Sequence, residues 1–379
     1  MINYLQIILC CVILFFLQKN CYSKNIKIRL SNELSLEETS FENLYGWNNE
    51  NYKEALDVFL DNCERIVSLS IKYPIFPQAN RKINKNDFYS VCKIADIIKN
   101  YNKEYIQVFF ENYFIPFKII DNKNNYSLFT GYYMPTIKAK RKRDNIFKYP
   151  IYKRPNDLVD GIKYYTREQI NNGVLANKNL EILYTNDLVE LFFFHIQGSG
   201  NVELVDENKI ISIGFDGKNN HKYTSIGKYM SRNNLLTEAK ADTKSIKQEL
   251  KKNLVFAKNI LNVNKSYIFF KILEDNNFKG AFGSKLVPFR TIAVDKKYIP
   301  YGFPIWLNTM HIKKYDIREQ FNKLVIANDT GSAIKGVVRG DIFFGFGEEG
   351  EENSGYQYST GEMYLLIPIK VLKKINIEF

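Results

Sequence analysis

Histidine is nearly missing from this 379-residue chain, which has three. None stands with cysteines at ligand spacing, so the usual histidine and cysteine metal sites are excluded. One of the three, His195 in "FFFHIQGSG", alternates with apolar neighbours as a half-buried strand residue would. Cysteine is scarce as well. Of five, Cys10, Cys11 and Cys21 fall in or beside the amino-terminal apolar run, leaving Cys63 and Cys92. No nucleophile-elbow context surrounds Ser199 or Ser332, which argues against a Ser-His-Asp hydrolase. The glycines of "QGSG" and "GSAIKG" match no phosphate loop, and no repeat of solenoid period is visible. The apolar run over residues 7–17 is too short to span a bilayer comfortably and fits the core of an export signal.

What the chain does contain bounds it further. Its length suggests two domains. Hydrophobic residues make up 45% and aromatic residues 15%, ample for a large core, and the formal charge is +12. That charge favours an acidic partner: nucleic acid, anionic lipid and bacterial wall polymer all qualify. Much of it comes from lysine in a chain rich in Lys, Asn, Ile and Tyr. Cys21, just after the apolar core, raises the option of lipid attachment, although the preceding "QKN" is polar and bulky. In an exported chain Cys63 and Cys92 either form one disulfide or stay two separate buried thiols.

The pattern from Ser35 to about Tyr113 reads as helical, including "SLEETSFENL", "NNENYKEALDVFLDNCERIVSLS" and "NKNDFYSVCKIADIIKNY". From Tyr126 short β-rich runs follow, among them "YSLFTGYYMPTIKAKR", "YPIYKRP" and "LVELFFFHIQGSGNVEL". A helical stretch returns over Glu238 to Ile260, and strands resume after it. The basic run "KAKRKRD", Lys138 to Asp144, reads as an exposed hairpin tip. Helices, strands, helix, strands is the order of an α+β protein with one domain inserted into another.

The chemistry-bearing stretch is "VIANDTGSAIKGVVRGDIFFGFG", which sets Asp329 and Asp341 among glycines and β-formers. A buried carboxylate must be satisfied by hydrogen bonds or tuned for chemistry. "NDTGSA" is like the aspartic-protease signature, but those enzymes need two facing aspartates and no second Asp-Thr/Ser-Gly is present. An acid acting alone remains. Asp341 opens the apolar "DIFFGFG", which should raise its pKa, and a protonated carboxyl at neutral pH is what glycosidic cleavage requires. The plainer alternative is an aspartate capping the turn after Gly340. Aromatic faces favour sugar: Tyr132 or Tyr133, which strand alternation aims to opposite sides, and Tyr223 with Tyr229. Gln197 with its flanking glycines offers amide donors and close backbone approach.

Taken together, "LFTGYYMP", "YPIYKRPNDLV", "YYTREQINNGVL", "DLVELFFFHIQGSG", "GFDGKNNHKYTSIGKYM", "TIAVDKKYIPYGFPIWL" and "NDTGSAIKGVVRGDIFFGFG" resemble, in order, the MltA family of membrane-bound lytic murein transglycosylases with its 3D domain. The resemblance covers roughly Phe41 to Pro368. It implies an α+β, mainly β fold: a double-psi β-barrel domain with amino-terminal helices, a second inserted β-barrel domain, and a substrate groove between them. The implied division is a leader over 1–23, the double-psi barrel over 24–125 and 236–379, and the insert over 126–235. By motif, Asp341 is the implied catalytic acid, Asp329 the acid that organises it, and Asp295 in "AVDKKYIP" a structural acid. The implied substrate-binding residues are Tyr132, Gln197, Gly198, Ser199, Tyr223, Thr224, Ser332, Ala333 and Lys335. Cys63 and Cys92 stand where relatives often carry a cysteine pair, which implies the disulfide. Met134 and Asn201 depart from the acid and the arginine frequent in relatives.

The resemblance implies non-hydrolytic cleavage of the β-1,4 bond between N-acetylmuramic acid and N-acetylglucosamine, leaving 1,6-anhydro ends. No metal and no organic cofactor is called for. The implied partner is the peptidoglycan glycan strand rather than nucleic acid. The chain is expected to act as a monomer in the periplasm, with attachment to the outer membrane left open. A hydrolase on the same barrel and a wall-binding module without turnover are the rival readings.

Overall fold

The computed structural model describes residues 26–77, 83–124, 126–236, 243–274 and 278–375. The expected leader, with Cys21, lies outside the described residues, as does the start of the helical stretch from Glu238. Among the described residues no helix is long and apolar enough to cross a membrane.

The chain opens with strands β1 (Lys27–Arg29) and β2 (Leu34–Glu38), then helices α1 (Tyr52–Ser68), α2 (Lys85–Ile98) and α3 (Lys103–Tyr113). Helix α1 buries Ala55, Leu56, Phe59, Cys63 and Ile66, a three- and four-residue spacing that turns one stripe to the core. Helix α2 starts at a reciprocal cap in which Asn84 and Asp87 each bond the other's backbone. A disulfide, Cys63–Cys92, joins the two helices with 5.5 Å between Cα atoms. Strands β3 (Phe114–Asp121) and β4 (Leu128–Met134) follow.

After Pro135 come β5 (Thr136–Lys140), β6 (Tyr149–Tyr152), α4 (Arg167–Asn171), β7 (Glu181–Thr185), α5 (Leu188–Gln197), β8 (Gly200–Leu204) and β9 (Lys209–Lys218). Helices α6 (Ile226–Arg232), α7 (Thr243–Lys252) and α8 (Leu254–Val263) lead to β10 (Ile268–Ile272). The rest is β11 (Thr291–Val294), β12 (Pro304–Ile312), β13 (Arg318–Asp329), β14 (Arg339–Phe346), α9 (Gly347–Gly355), β15 (Tyr358–Ser359), β16 (Gly361–Pro368) and α10 (Ile369–Leu372).

Two sheets result, giving the mixed α+β two-unit fold. The larger runs β1-β2-β3-β16-β12-β13-β11-β14-β4-β15, and the smaller β10-β9-β8-β5-β7-β6. Tyr152 of edge strand β6 and Phe269 of edge strand β10 share one buried cluster, so the six-stranded sheet is nearly a closed barrel. Most pairings are antiparallel. The parallel pairs β11 with β13 and β14 with β4 lie at the centre of the candidate site. By sheet membership Leu128–Met134 goes with the larger sheet and Ile268–Ile272 with the smaller, each on the other side of the expected divisions at 126 and 235. The crossing point is Pro135, which separates two strands that read as one β-rich run.

Three local expectations are corrected. Residues 34–38 form a strand, because β2 pairs with β3 in register from Leu34↔Asp121 to Glu38↔Phe117. His195 lies in helix α5, where Asp187 caps the first turn through Val189 and Glu190 N–H, and Gly198 at φ 80° ends the last. These caps and the packing of Phe192, Phe193 and Phe194 override the β-propensity of the run. The basic run is not a hairpin tip, since β7 lies between β5 and β6. Two of its five cations are paired: Lys140 with Asp144 at 2.9 Å and Arg141 with Glu207 at 2.5 Å.

Candidate active site

Four strands of the larger sheet carry one row of registered residues. Asp341 on β14 is opposite Thr130 on β4 and, on its other side, opposite Ala293 on β11. Ala293 is opposite Asp329, the last residue of β13. Residues directly opposite in a sheet point to the same face, so Thr130, Asp341 and Asp329 share one. Helix α9 and Phe344 occupy the other face. A Cβ on Gly131 would lie 2.6 Å from the Phe344 ring and 3.0 Å from the Ser354 backbone.

The two acids are held differently. Asp341 receives the Thr130 hydroxyl, and the Thr130 oxygen in turn accepts from Arg339 Nη2 at 2.7 Å. Asp329 accepts three donors: the Tyr132 hydroxyl at 2.8 Å, Ala281 N–H at 2.9 Å and Thr330 N–H at 2.9 Å. Glycine is required beside the second donor, because a Cβ on Gly280 would stand 2.4 Å from the Asn328 carbonyl. Tyr132 packs on Phe343 with ring centroids 5.1 Å apart, which fixes the phenol over Asp329. Tyr133 turns to the opposite side and is buried.

Burial raises the Asp341 pKa above the ordinary carboxylate range. Arg339 and the Thr130 hydroxyl oppose the rise, and the Asp329 charge adds to it. Burial likewise raises Asp329, against its three donors. Tyr132 is held neutral by burial and by both acids. Two neighbouring carboxyls, each raised by burial and one raised further by the other's charge, resist ionising together, and the one that keeps its proton can act as an acid. It can protonate a leaving oxygen and later recover the proton.

The other sequence candidates are distributed around this row. Asp295 follows β11, and its carboxylate accepts Lys297 N–H and Gly336 N–H, each at 3.1 Å, tying two loops together. Thr330 adds a third tie through its hydroxyl to the Val294 carbonyl at 2.7 Å. Ser332 and Ala333 are exposed on the loop so anchored. Lys335, also exposed, has its Nζ 4.0 Å from Asp295 Oδ1. Gln197, Gly198 and Ser199 end helix α5, and the Ser199 hydroxyl donates to the Met134 sulfur at 3.1 Å. This joins the segment to the strand carrying Thr130 and Tyr132. Met134 is buried with Phe278, Leu286 and Phe343 and so lies in a core cluster rather than in the groove. Tyr223 and Thr224 are exposed ahead of α6, with Thr224 N–H on Asn264 Oδ1 at 3.1 Å. No hydrogen bond among the described residues joins these two to the aspartate row.

Thr130 and Arg339 were not singled out from sequence. A signal existed: each stands two residues before a chosen one, Tyr132 and Asp341, and strand period two puts it on the same face. Ala281 had no such signal, because its contribution is a backbone N–H from a distant loop. Among the described residues no three His, Cys, Asp or Glu side chains gather as a metal-ion group.

Residues 128–271 match the MltA specific insert domain and residues 290–367 the 3D domain. The chain is 32% identical over 263 residues to the membrane-bound lytic murein transglycosylase A homolog of Buchnera aphidicola subsp. Schizaphis graminum, covering 66% of this chain and 68% of that one. The crystal structure of MltA from Neisseria gonorrhoeae superposes with a TM-score of 0.75 at 28% identity, covering 92% of this chain and 96% of that one. Escherichia coli MltA with bound chitohexaose superposes with a TM-score of 0.63 at 25% identity, over 82% of this chain and 89% of that one. With both domains matched in order and the fold shared along nearly its whole length, the chain belongs to the MltA family of lytic murein transglycosylases.

Proposed function

We propose that this chain is a peptidoglycan lytic transglycosylase. It cleaves the β-1,4 bond between N-acetylmuramic acid and N-acetylglucosamine without water and leaves a 1,6-anhydromuramic end, a lyase reaction. The observation that carries the reading is the environment of Asp341: raised by burial, on the face of the sheet opposite helix α9, and within one row of a second, donor-bound acid. The names of the relatives and the chitohexaose held by one of them support the same substrate class.

In this mechanism Asp341 gives its proton to the bridging oxygen as positive charge develops at the sugar C1. Asp329, bound by Tyr132, Ala281 and Thr330, is the second carboxyl of the row, and its charge favours a proton on Asp341 and stabilises the developing charge. The carboxylate of Asp341 then takes the proton from the muramic C6 hydroxyl, whose oxygen closes on C1. One acid suffices because this nucleophile is part of the substrate and already near its target. Ser332, Ala333 and Lys335 on one side, and Gln197, Gly198, Ser199, Tyr223 and Thr224 on the other, line the glycan path. Asp295 holds the 330s loop in place. We assign 136–272 to the inserted unit and the flanking segments to the 3D unit. Export to the periplasm as a monomer, with or without a lipid on Cys21, completes the reading.

Asp341→Asn tests it. The variant should stop releasing soluble fragments from labelled peptidoglycan while still sedimenting with sacculi. Full activity in the variant would contradict the assignment of the acid. An unmodified chain that binds sacculi and releases nothing would make it a wall-binding protein.

A further inference from the structure

The row that holds both acids extends one strand past Thr130. Strand β15 is the edge of the larger sheet, and Tyr358 is registered opposite Thr130. By the pairing rule the Tyr358 side chain shares the face of Thr130 and Asp341. Its neighbour Ser359, opposite Phe129, turns the other way and is buried against Thr309, with 2.8 Å between hydroxyl oxygens. Tyr358 is 65% exposed and Tyr126, just before β4, 55% exposed. Their hydroxyls meet at 3.1 Å. Arg339, which donates to Thr130, lies within electrostatic reach of both tyrosines and of Asp341.

Two large rings tied to each other at the rim, on the face of the acid, are an unusual use of exposed aromatic area. The patch is far smaller than a stable protein interface needs. It has the size and character of a surface for one sugar ring: a flat apolar face, with phenol oxygens at its edge that retain hydrogen-bonding capacity. Two strand spacings, about 10 Å, separate Tyr358 from Asp341 along the row. A single sugar ring does not reach that far.

We propose that Tyr126 and Tyr358 form a saccharide platform of the glycan groove, holding a sugar residue remote from the bond that is cut. The proposal rests on the glycan reading above and adds to it a binding element that lies outside the motifs identified from sequence. Held there, the strand is aligned across Thr130 and Asp341, and the contact contributes to affinity for long glycans.

The test is calorimetric titration of chitohexaose into the full chain carrying Asp341→Asn, so that nothing is turned over. Tyr358→Ala and Tyr126→Ala, each added to that background, should weaken binding roughly three- to tenfold. Tyr358→Phe keeps the ring and should stay within about twofold of the background. Tyr315→Ala, at an 83% exposed tyrosine between β12 and β13, serves as the control and should bind as the background does. A melting curve for each variant separates loss of fold from loss of contact. Unchanged affinity in the two alanine variants overturns the platform, as does equal weakening by Tyr315→Ala, equal weakening by Tyr358→Phe, or no chitohexaose binding at all. Products of the unmodified chain on sacculi distinguish this from failure of the function. Anhydro ends with tyrosine-independent affinity sink the platform alone. Reducing ends, or none, with tyrosine-dependent affinity sink the transglycosylase and leave the platform.

Discussion

The Tyr132 hydroxyl donates to Asp329 across 2.8 Å, and it does so from the same strand whose Thr130, two residues earlier, donates to Asp341. One strand therefore orients both acids. Tyr132→Phe removes one of the three donors that oppose the rise of the Asp329 pKa. Asp329 should then stay protonated to higher pH, so the acid limb of the activity profile moves upward. Loss of a bond to a charged group should also cost about 1.5–3 kcal/mol of stability. A pH–rate series on soluble glycan and a urea titration check the two effects. An unmoved acid limb would show that Asp329 ionisation is not required.

Thr130 sits between a cation and the acid, accepting from Arg339 and donating to Asp341. Thr130→Val keeps the shape and deletes the bridge, leaving one Arg339 donor without this partner. Turnover should fall by about tenfold, and Thr130→Ser should restore most of it, a difference of about 1.4 kcal/mol in barrier. Equal activity in the valine and serine variants would remove Thr130 from the mechanism.

The raised pKa of Asp341 carries a stability consequence with a definite sign. Between the ordinary carboxylate pKa and its own higher value the folded chain binds more protons than the unfolded one, so stability falls as pH rises through that window. Asp341→Asn removes this loss. Its melting temperature should exceed that of the parent at pH 7–8, and the excess should disappear below about pH 4, where the acid is protonated in both states. The same substitution should lower turnover by about 10²–10⁴-fold. A variant that melts lower than the parent at neutral pH would mean that Asp341 is a structural acid.

The Cys63–Cys92 bridge closes a loop with a sequence separation of 29, between helices of the core layer rather than at the acids. Replacing both cysteines by alanine should cost about 3–4 kcal/mol by the chain-entropy relation. The urea midpoint should fall while the shape of the pH–rate profile is kept. A changed profile would connect the helical layer to the site.

The sequence made legible whatever depended on local alternation. Tyr132 and Tyr133 part to opposite faces as a strand requires, and "RTIAVD", "KLVIAND" and "DIFFGFG" became the strands that carry the acids. The run from Leu188 to Gln197 was not legible in the same way. Its phenylalanines favour a strand locally, and the helix is decided by the Asp187 cap, Gly198 and burial against two clusters. Strand β2 was hidden because its identity depends on pairing with β3, some eighty residues on. Within the site, motif resemblance brought out the acids but not Thr130 or Arg339, which alternation alone could have flagged. The convergence of Asp341 and Asp329 on Ala293 is a matter of sheet order, which one chain's residues do not display.

Mass spectrometry of the fragments released from purified sacculi tests the central claim most directly. If Asp341 alone gives and retrieves the proton while the sugar supplies its own nucleophile, the muramic ends are 1,6-anhydro and carry no oxygen from water, even in ¹⁸O-labelled water. Reducing ends that incorporate the label would contradict the account, because the oxygen closing on C1 would then come from water and not from the muramic C6 hydroxyl.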